Sequence, residues 1–383
     1  MHRLLMVLAL YGAMHLYCFL HVRAAFPRSG ALLWVVAGFL VLMVAAPFLM
    51  FALSRAGASW ASRPLAVAAY AWLAVIFWAV LLLAAFDLWN LGVKALAAAT
   101  HRSPALVLAA RAELAAAGIA ILCAVCWGLC EAGAIRLKEI TVETDRLAPG
   151  SAPVRIVQVS DLHLGAILSR GKLKKALGIV AAAEPDVLVA TGDIVDGSFH
   201  GVDDEAAVLA QCSPPLGKFA VLGNHEYYAG VQGSLDFLES AGFTVLREES
   251  VLVGDRLLIA GVDDSPGHIR GQEVRADEDA ALPAEEGRPA TVLLKHRPIV
   301  SDASLGRFDL QLSGHTHGGQ FFPFGLIVGL VYPHSHGLHE AGQGAMLYAS
   351  RGAGTWGPPL RVFAPPEVTL FILSPGGSDP AGQ

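Results

Sequence analysis

Two histidines near the end of the chain are placed as metal ligands often are. The run from Ser313 to Gln320 contains His315 and His317, one residue apart, with glycines on both sides and the strand-like Asp309 to Leu312 before it. Imidazole nitrogens held so close together on a tight loop can bind one metal ion or two neighbouring ions. This spacing predicts a metal site and leaves open what the ion would do.

Polar residues upstream repeat this arrangement after other apolar, strand-like runs. Loops that leave the carboxyl ends of strands in layered α/β folds converge on one edge, so we expect these side chains to lie together. Carboxylate, imidazole and amide ligands without a thiolate favour Mn, Fe, Zn or Co over a structural zinc site. The four further blocks are Asp161 with His163, Gly192 with Asp193, Asn224 with His225 and Glu226, and Lys295 with His296.

Each block has an ordinary alternative when it is taken alone. Asp161 could cap a loop beside a surface histidine, and Gly192 with Asp193 could form a turn. Asn224 with His225 is another common turn pair, and His296 could be a loop residue. Five ordered blocks that each follow a strand favour one shared site over five separate coincidences.

The five blocks, in this order, resemble the calcineurin-like metallophosphoesterases. The resemblance implies an α/β fold, the αββα sandwich, in which two mixed sheets pack together and helices flank them. It also implies two divalent metal ions, with manganese expected and zinc, iron or cobalt as alternatives. Asp193 would be shared between the ions, and water held between them would become a hydroxide nucleophile. His225 would be the catalytic residue that faces the leaving group. The implied ligands are Asp161, His163, Asp193 and His317 for one ion, and Asp193, Asn224, His296 and His315 for the other.

The composition adds a membrane region to this domain. The chain is 54% hydrophobic with a mean hydropathy of +0.53, which is high for a soluble protein. Residues 4–20, 31–53, 65–86 and 106–135 form long runs with few charges, and we predict four transmembrane helices. A buried helical core and a signal peptide are the alternatives, but no small-residue cleavage site precedes a soluble domain. The predicted limits are 1–136 for the membrane region, 137–153 for a linker and first strand, 154–373 for the metallophosphoesterase domain and 374–383 for a disordered tail.

Charge divides near the same place. The first 136 residues carry nine basic and three acidic residues, whereas the remainder carries eighteen and thirty. An acidic domain argues against nucleic acid as a partner. Five basic residues flank the spans on the side of the catalytic domain and four on the other, so the positive-inside rule favours a cytoplasmic domain by one residue. Outside the apolar runs Cys212 is the single cysteine, which excludes a disulfide framework there.

Further segments resemble the membrane-associated bacterial members of the family, some of which hydrolyse the pyrophosphate of UDP-2,3-diacylglucosamine. This resemblance implies an integral protein of the bacterial inner membrane that cleaves a phosphodiester or pyrophosphate bond in a lipid-linked substrate. A cyclic nucleotide and a cell-wall polymer are alternative substrates. The alternative function is a membrane sensor or scaffold that binds a ligand or partner without turnover, and the oligomeric state stays open. The segments are Asn224 to Tyr228, Gly261 to Asp264, His317 to Gln320 and Ser350 to Trp356.

Four other features allow two interpretations each. Asp196 could orient a ligand or cap a loop, and Arg351 could clamp a phosphate or form a structural ion pair. The apolar segment from Phe321 to Val331 could dock on lipid, although a buried hairpin is the preferred interpretation. The histidines His334, His336 and His339 are expected in a surface loop rather than in a second site. The acid-rich stretch 263–289 is expected to be a loop or lid.

Overall fold

The computed structural model describes residues 2–165, 170–197, 203–264 and 276–377. It divides into two compact units, one of residues 1–129 with 357–359 and one of residues 130–356 with 360–383. Residues 265–275 of the predicted acid-rich loop and residues 378–383 of the predicted tail lie outside the described residues. Within the described part of that loop there is one short helix, Glu278–Ala281.

Four helices that are apolar on all faces make up the N-terminal unit. Each is long and apolar enough to cross a membrane, because a bilayer core requires about 20 residues of helix. The third is much longer than the predicted run 65–86, since no proline follows Phe86 until Pro104 and a left-handed His101 ends it. The fourth is shorter than the predicted run 106–135. The helices are α1 (His2–Ala25), α2 (Gly30–Arg55), α3 (Ser59–Thr100) and α4 (Ala110–Ala132).

The position of Arg111 changes the count of basic residues around the spans. Arg111 lies in the first turn of α4, and its Nε donates a hydrogen bond to the carbonyl of Ala25 at 2.9 Å. Arg111 therefore lies at the same end of the apolar helices as Arg23 and Arg28, and it adds one basic residue to the count at that end. Each side then carries five basic residues, so the predicted margin in favour of a cytoplasmic domain disappears.

Two six-stranded sheets form the core of the second unit. The first has the order β1-β12-β2-β3-β4-β5 and the second β10-β11-β9-β8-β7-β6. Both are mixed, since β12 is antiparallel to β2 and β7 is antiparallel to β6, whereas β2 to β5 and β7 to β9 run parallel. The strands are β1 (Arg136–Thr144), β2 (Val154–Val159), β3 (Val187–Thr191), β4 (Lys218–Val221), β5 (Thr244–Val245), β6 (Glu249–Val253), β7 (Leu257–Val262), β8 (Ala290–Lys295), β9 (Leu310–Ser313), β10 (Gly337–Gly342), β11 (Ala345–Ala349) and β12 (Glu367–Pro375).

Alternation along the strands separates the apolar side chains into three layers. Ile156 of β2 and Ile259 of β7 lie in the layer between the sheets. Val157 of β2 faces the other way, toward Leu173 of α5 (Arg170–Ala182) on the outside of the first sheet. A third cluster covers the outside of the second sheet with Phe308 and α9 (Glu278–Ala281). The predicted αββα sandwich is confirmed. The remaining helices are α6 (Asp203–Ala210), α7 (Asn224–Ala229), α8 (Val231–Ser240) and α10 (Phe324–Val331).

Helix α10 replaces the buried hairpin that we expected from Phe321 to Val331. That expectation was wrong, since α10 is a helix of eight residues with no buried residue. Gly319 packs so closely on this helix that an added Cβ would lie 2.1 Å from the Cα of Gly325. Such contact through backbone leaves the large side chains of the helix on the surface.

Candidate metal centre

The sequence-predicted ligands converge because five parallel strands end at one edge of the sandwich. Strands β2 and β3 of the first sheet and β8 and β9 of the second each end at a short turn that carries some of these residues, whereas β4 leads into the first turn of α7. The carboxyl ends of such strands are where layered folds gather ligands. The residues that follow these strands are Asp161 and His163 after β2, Asp193 after β3, Asn224 and His225 after β4, His296 after β8, and His315 and His317 after β9.

Most of these residues have a left-handed backbone. Asp161, His163, Asp193, His315 and His317 have φ angles between 50° and 71°. Side chains with a Cβ rarely adopt this region, and such conformations concentrate at functional sites where the surrounding structure holds them in place. The strained backbone turns the five side chains back toward a common centre.

The first group, here called the Asp161 cluster, contains Asp161, His163 and His317. The Nε2 atoms of the two histidines lie 3.0 Å apart, and Nε2 of His317 lies 3.5 Å from Oδ1 of Asp161. Asp161 is fully buried, and its carboxylate accepts hydrogen bonds from the backbone N–H of His315 and from the hydroxyl of Ser160. Two ring nitrogens and a carboxylate oxygen thus point at one small volume.

The second group, the His296 cluster, contains Asp193, His296 and His315. Nε2 of His296 lies 3.2 Å from Oδ2 of Asp193 and 3.2 Å from Nδ1 of His315. The Nδ1–H of His296 donates to the carbonyl of Thr191 at 2.7 Å, which fixes the ring so that Nε2 faces the cluster. The arrangement again collects imidazole and carboxylate groups around one point.

Asp193 belongs to the surroundings of both clusters. Its Oδ2 lies 3.2 Å from Nε2 of His296 and 3.9 Å from Nε2 of His163, and its Oδ1 accepts the backbone N–H of His225. The adjacent Asn224 is buried, and its Oδ1 has no hydrogen-bond partner among the residues that the structure describes. A buried carbonyl oxygen without a partner is costly, and a bound cation would satisfy it.

Protonation states also fit a metal centre. Burial lowers the pKa of His163 to about 4 and that of His315 to about 3, and it holds the pKa of His317 well below its usual value. These rings are therefore neutral at neutral pH, which is the form that binds metals. For His296 burial also favours the neutral form, but the charge of Asp193 outweighs it and raises the pKa to about 10. A cation bound there would replace the proton of His296.

Close backbone approach leaves no room for larger residues around the clusters. A Cβ on Gly223 would lie 2.3 Å from Oδ1 of Asp193, and one on Gly314 would lie 2.0 Å from the hydroxyl of Ser160. Glycine at these two positions therefore lets the backbone approach the side chains of the centre closely.

His225 lies beside both clusters and is oriented by Asp196. Its ring centroid is 4.7 Å from that of His163, and its Nδ1–H donates to Oδ1 of Asp196 at 2.9 Å. Burial alone would lower the pKa of His225, but the hydrogen bond to Asp196 and the nearby carboxylates raise it. Of the two interpretations of Asp196, the structure favours the orientation of a side chain. His225, His163 and Asp193 are also close enough to form a third group with metal-ligand geometry.

Glu226 has a role that the sequence did not indicate. Its carboxylate is fully buried and accepts backbone N–H groups from Asp193, Ile194, Val195 and Gly223 at 2.7 to 2.9 Å. It therefore ties the loop after β3 to the loop after β4. Burial raises the pKa of Glu226 to about 7, but four backbone donors on one carboxyl group hold Asp193 in place.

Arg361 was missed entirely in the sequence. It is fully buried, donates to the carbonyls of Arg351, Gly354 and Ala364, and places Nη2 3.2 Å from Nδ1 of His317. Its one sequence signal is a lone charge in the apolar stretch from Leu360 to Ala364. Arg351, which we considered as a phosphate clamp, lies 3.7 Å from Glu367 in an ion pair.

The three histidines of the predicted surface loop do not join the centre. The ring centroids of His334 and His339 lie 4.6 Å apart with the rings tilted by 47°, and the Nε2–H of His339 donates to the carbonyl of His336. None of the three belongs to a group with metal-ligand geometry in the described part of the chain.

A sandwich of two sheets with carboxylate and imidazole clusters at the strand ends defines a metal-dependent hydrolase. The family model described as calcineurin-like phosphoesterase matches residues 154–319. An uncharacterized metallophosphoesterase of Aquifex aeolicus is 42% identical over 245 residues, which is 64% of this chain and 94% of the relative. The chain belongs to the calcineurin-like phosphoesterase family, and it is a metallophosphoesterase.

Two further relatives differ in how much of their length is matched. The metallophosphoesterase YkuE of Bacillus subtilis is 34% identical over 62% of this chain and 85% of its own length. A transmembrane protein with a metallophosphoesterase domain from Danio rerio is 31% identical over 62% of this chain and 57% of its own length. Four apolar helices and a transmembrane relative together support membrane association of this chain.

Proposed function

We propose that this chain is a dinuclear metal-dependent phosphohydrolase of the bacterial inner membrane. It would cleave a phosphodiester or pyrophosphate bond in a lipid-linked substrate. The observation that carries the proposal is the position of Asp193, whose Oδ2 lies within 4 Å of a histidine nitrogen from each cluster. One carboxylate between two neighbouring cations offsets their mutual repulsion, as a dinuclear centre requires.

The residues would share the two ions as the family resemblance implies. Asn224 would bind the ion of the His296 cluster through its buried Oδ1, and Asp193 would bind both ions. The bound cations would supply an acidified water and neutralise charge that develops on phosphate oxygens. The proposed ligands are Asp161, His163, Asp193, Asn224, His296, His315 and His317.

His225 is the proposed proton donor. Its Nδ1–H is held by Asp196, so the opposite ring nitrogen, Nε2, can donate to the oxygen of the leaving group. The hydrogen bond to Asp196 and the nearby carboxylates raise the pKa of His225, which favours the protonated ring that a donor requires. Glu226 fixes the two loops that carry Asp193 and His225, so the donor and the shared carboxylate keep a constant separation.

The membrane region supports the lipid-linked part of the proposal. Helix α4 ends at Ala132 and β1 begins at Arg136. Four residue steps reach at most about 14 Å, so the domain starts close to the bilayer surface. A short tether raises the effective concentration of the site toward molecules in the same membrane. A soluble substrate would gain nothing from this attachment.

The test is hydrolysis of bis-p-nitrophenyl phosphate by the full chain, purified in detergent with Mn²⁺. Asp193→Asn and His225→Ala should each lower the metal-dependent rate by about a hundredfold or more, and His339→Ala serves as a histidine control outside the centre. UDP-2,3-diacylglucosamine and other lipid-linked phosphodiesters in mixed micelles are then compared with soluble ones. A folded, metal-loaded chain that hydrolyses none of them would favour the sensor or scaffold instead.

A further inference from the structure

The catalytic unit carries an exposed apolar surface beside its metal centre. This surface, the apolar rim, consists of large side chains from α10 and from two neighbouring loops. Leu330 is 86% exposed and Phe363 is 71% exposed, which is unusual for residues of this size in water. The apolar rim consists of Phe322, Leu326, Ile327, Leu330, Val331 and Phe363.

The helix of the apolar rim, α10, lies next to the metal centre. Near its first turn, α10 packs at Gly325 against Gly319, two residues after the proposed ligand His317. At its other end the ring of Tyr332 lies 5.3 Å from the ring of His315. The exposed leucines of α10 therefore lie on a helix whose two ends contact segments that carry the proposed ligands.

A hydrogen bond joins the apolar rim to the end of the last apolar helix. The backbone N–H of Phe363 donates to Oε2 of Glu131 at 3.0 Å, and Glu131 lies in the final turn of α4. The ring of Phe363 in turn packs edge-on against the ring of Phe322, next to α10, with the two ring centroids 6.1 Å apart. Because α4 is long and apolar enough to cross a membrane, this surface lies near the point where the chain leaves the bilayer.

The length of α10 restricts how it can meet lipid. A helix of eight residues is about 12 Å long, much too short to cross a bilayer core. An apolar helix of this size can instead lie in the interfacial layer, with its side chains among the upper acyl chains. The membrane that holds the apolar helices of the same chain would provide this interfacial layer close to α10.

We infer that the apolar rim inserts into the surface of the bilayer that holds the chain's own helices, so that the metal centre opens at the level of the lipid headgroups. The occupant is the lipid surface itself. The docking follows from exposure and position alone, whereas its use in presenting lipid-linked phosphates to the centre rests on the proposed function.

The experiment uses the full chain in nanodiscs of phosphatidylcholine and phosphatidylglycerol. A fluorescent unnatural amino acid is placed at Leu330 or, as a matched control, at Leu252, which is also exposed but lies on β6. Lipids with doxyl groups on their acyl chains then quench any probe that enters the bilayer. We expect loss of fluorescence at 330 with little loss at 252.

Equal quenching at the two positions would overturn the inference. Leu326 provides a second labelling site in the apolar rim, in case a probe at 330 disturbs folding, and thermal unfolding of each labelled protein checks this. Since the probe reports depth and not hydrolysis, an inactive but quenched protein would contradict the proposed function alone. An active protein whose probes at 330 and 326 stay unquenched would contradict the docking alone.

Discussion

The Asp161 cluster and the His296 cluster contain the same kinds of side chain but have different surroundings. Each brings two histidines and a carboxylate to one point. Behind His317 of the Asp161 cluster lies the guanidinium of Arg361, 3.2 Å from Nδ1. Behind His296 lies the carbonyl of Thr191, which accepts the Nδ1–H. The two clusters therefore differ in the group that contacts Nδ1 of a histidine, and not in the types of side chain that they contain.

The difference has a consequence for cation binding. A buried guanidinium repels a cation about 7 Å away by roughly 2 kcal/mol at an effective dielectric constant of about 20, or about 30-fold in affinity. The His296 cluster has a carbonyl oxygen in that position, and carboxylates raise the pKa of His296 to about 10. We therefore expect the His296 cluster to hold the tighter ion and the Asp161 cluster the weaker one.

Loss of the shared carboxylate should have the largest effect, because it weakens both clusters. Asp193→Asn should lower kcat/KM by on the order of a thousandfold, the upper range for loss of one electrostatic contact at a reacting centre. It should also lower the metal content of the purified chain, measured by inductively coupled plasma mass spectrometry. Asp236→Asn, an exposed aspartate on α8, is the control. Wild-type metal content in Asp193→Asn would mean that the clusters do not share this residue.

The next effect should fall on turnover alone. His225→Ala should lower kcat by about a hundredfold, the lower end of the range for loss of a general acid, and both ions should stay bound. Asp196→Asn should have a smaller effect in the same direction, since it loosens the orientation of His225 without removing the ring. If metal content falls with kcat in His225→Ala, this histidine is a ligand in the group with His163 and Asp193.

A matched pair of substitutions separates the two clusters. His296→Ala should remove the tight ion, whereas His317→Ala should remove the weak ion and leave the tight one in place. Affinity for the affected ion should fall by more than about a hundredfold, beyond the range seen when only an outer partner of a ligand is lost. Stepwise removal of Mn²⁺ with increasing chelator measures both affinities. If the two variants lose the same ion, or lose both ions equally, the two clusters do not differ in affinity as predicted.

The sequence predicted which residues would meet at this edge of the sandwich, but it did not predict the groups that lie behind them, for a physical reason. Asp161, Asp193 and His296 each follow an apolar strand, so local pattern is enough to bring them to one edge of the sandwich. Arg361 reaches His317 across 44 residues of sequence, and no local pattern encodes that contact. The pairing of β1 with β12 is equally non-local.

The exposed side chains of α10 escaped prediction for another reason. An apolar run in a sequence indicates that its side chains avoid water, but it does not indicate whether they pack against protein or against lipid. For the same reason the four spans were recognised while the bounds of α3 were not: lipid imposes hydrophobicity along the whole helix, and its end depends on the single residue His101.

The smallest expected effect tests the comparison most directly. Arg361→Gln removes the positive charge and should tighten the weak ion by about 30-fold, while the loss of buried hydrogen bonds lowers the free energy of unfolding by about 3 kcal/mol. Arg361→Lys keeps the charge and should lose stability without tightening the ion. Arg155→Gln is the matched control, because Arg155 also donates to backbone carbonyls, those of Ala183 and Glu184, away from the centre. Chelator titration and thermal unfolding measure the two quantities separately. If Gln and Lys at position 361 bind the weak ion equally well, the guanidinium acts through packing and not through its charge.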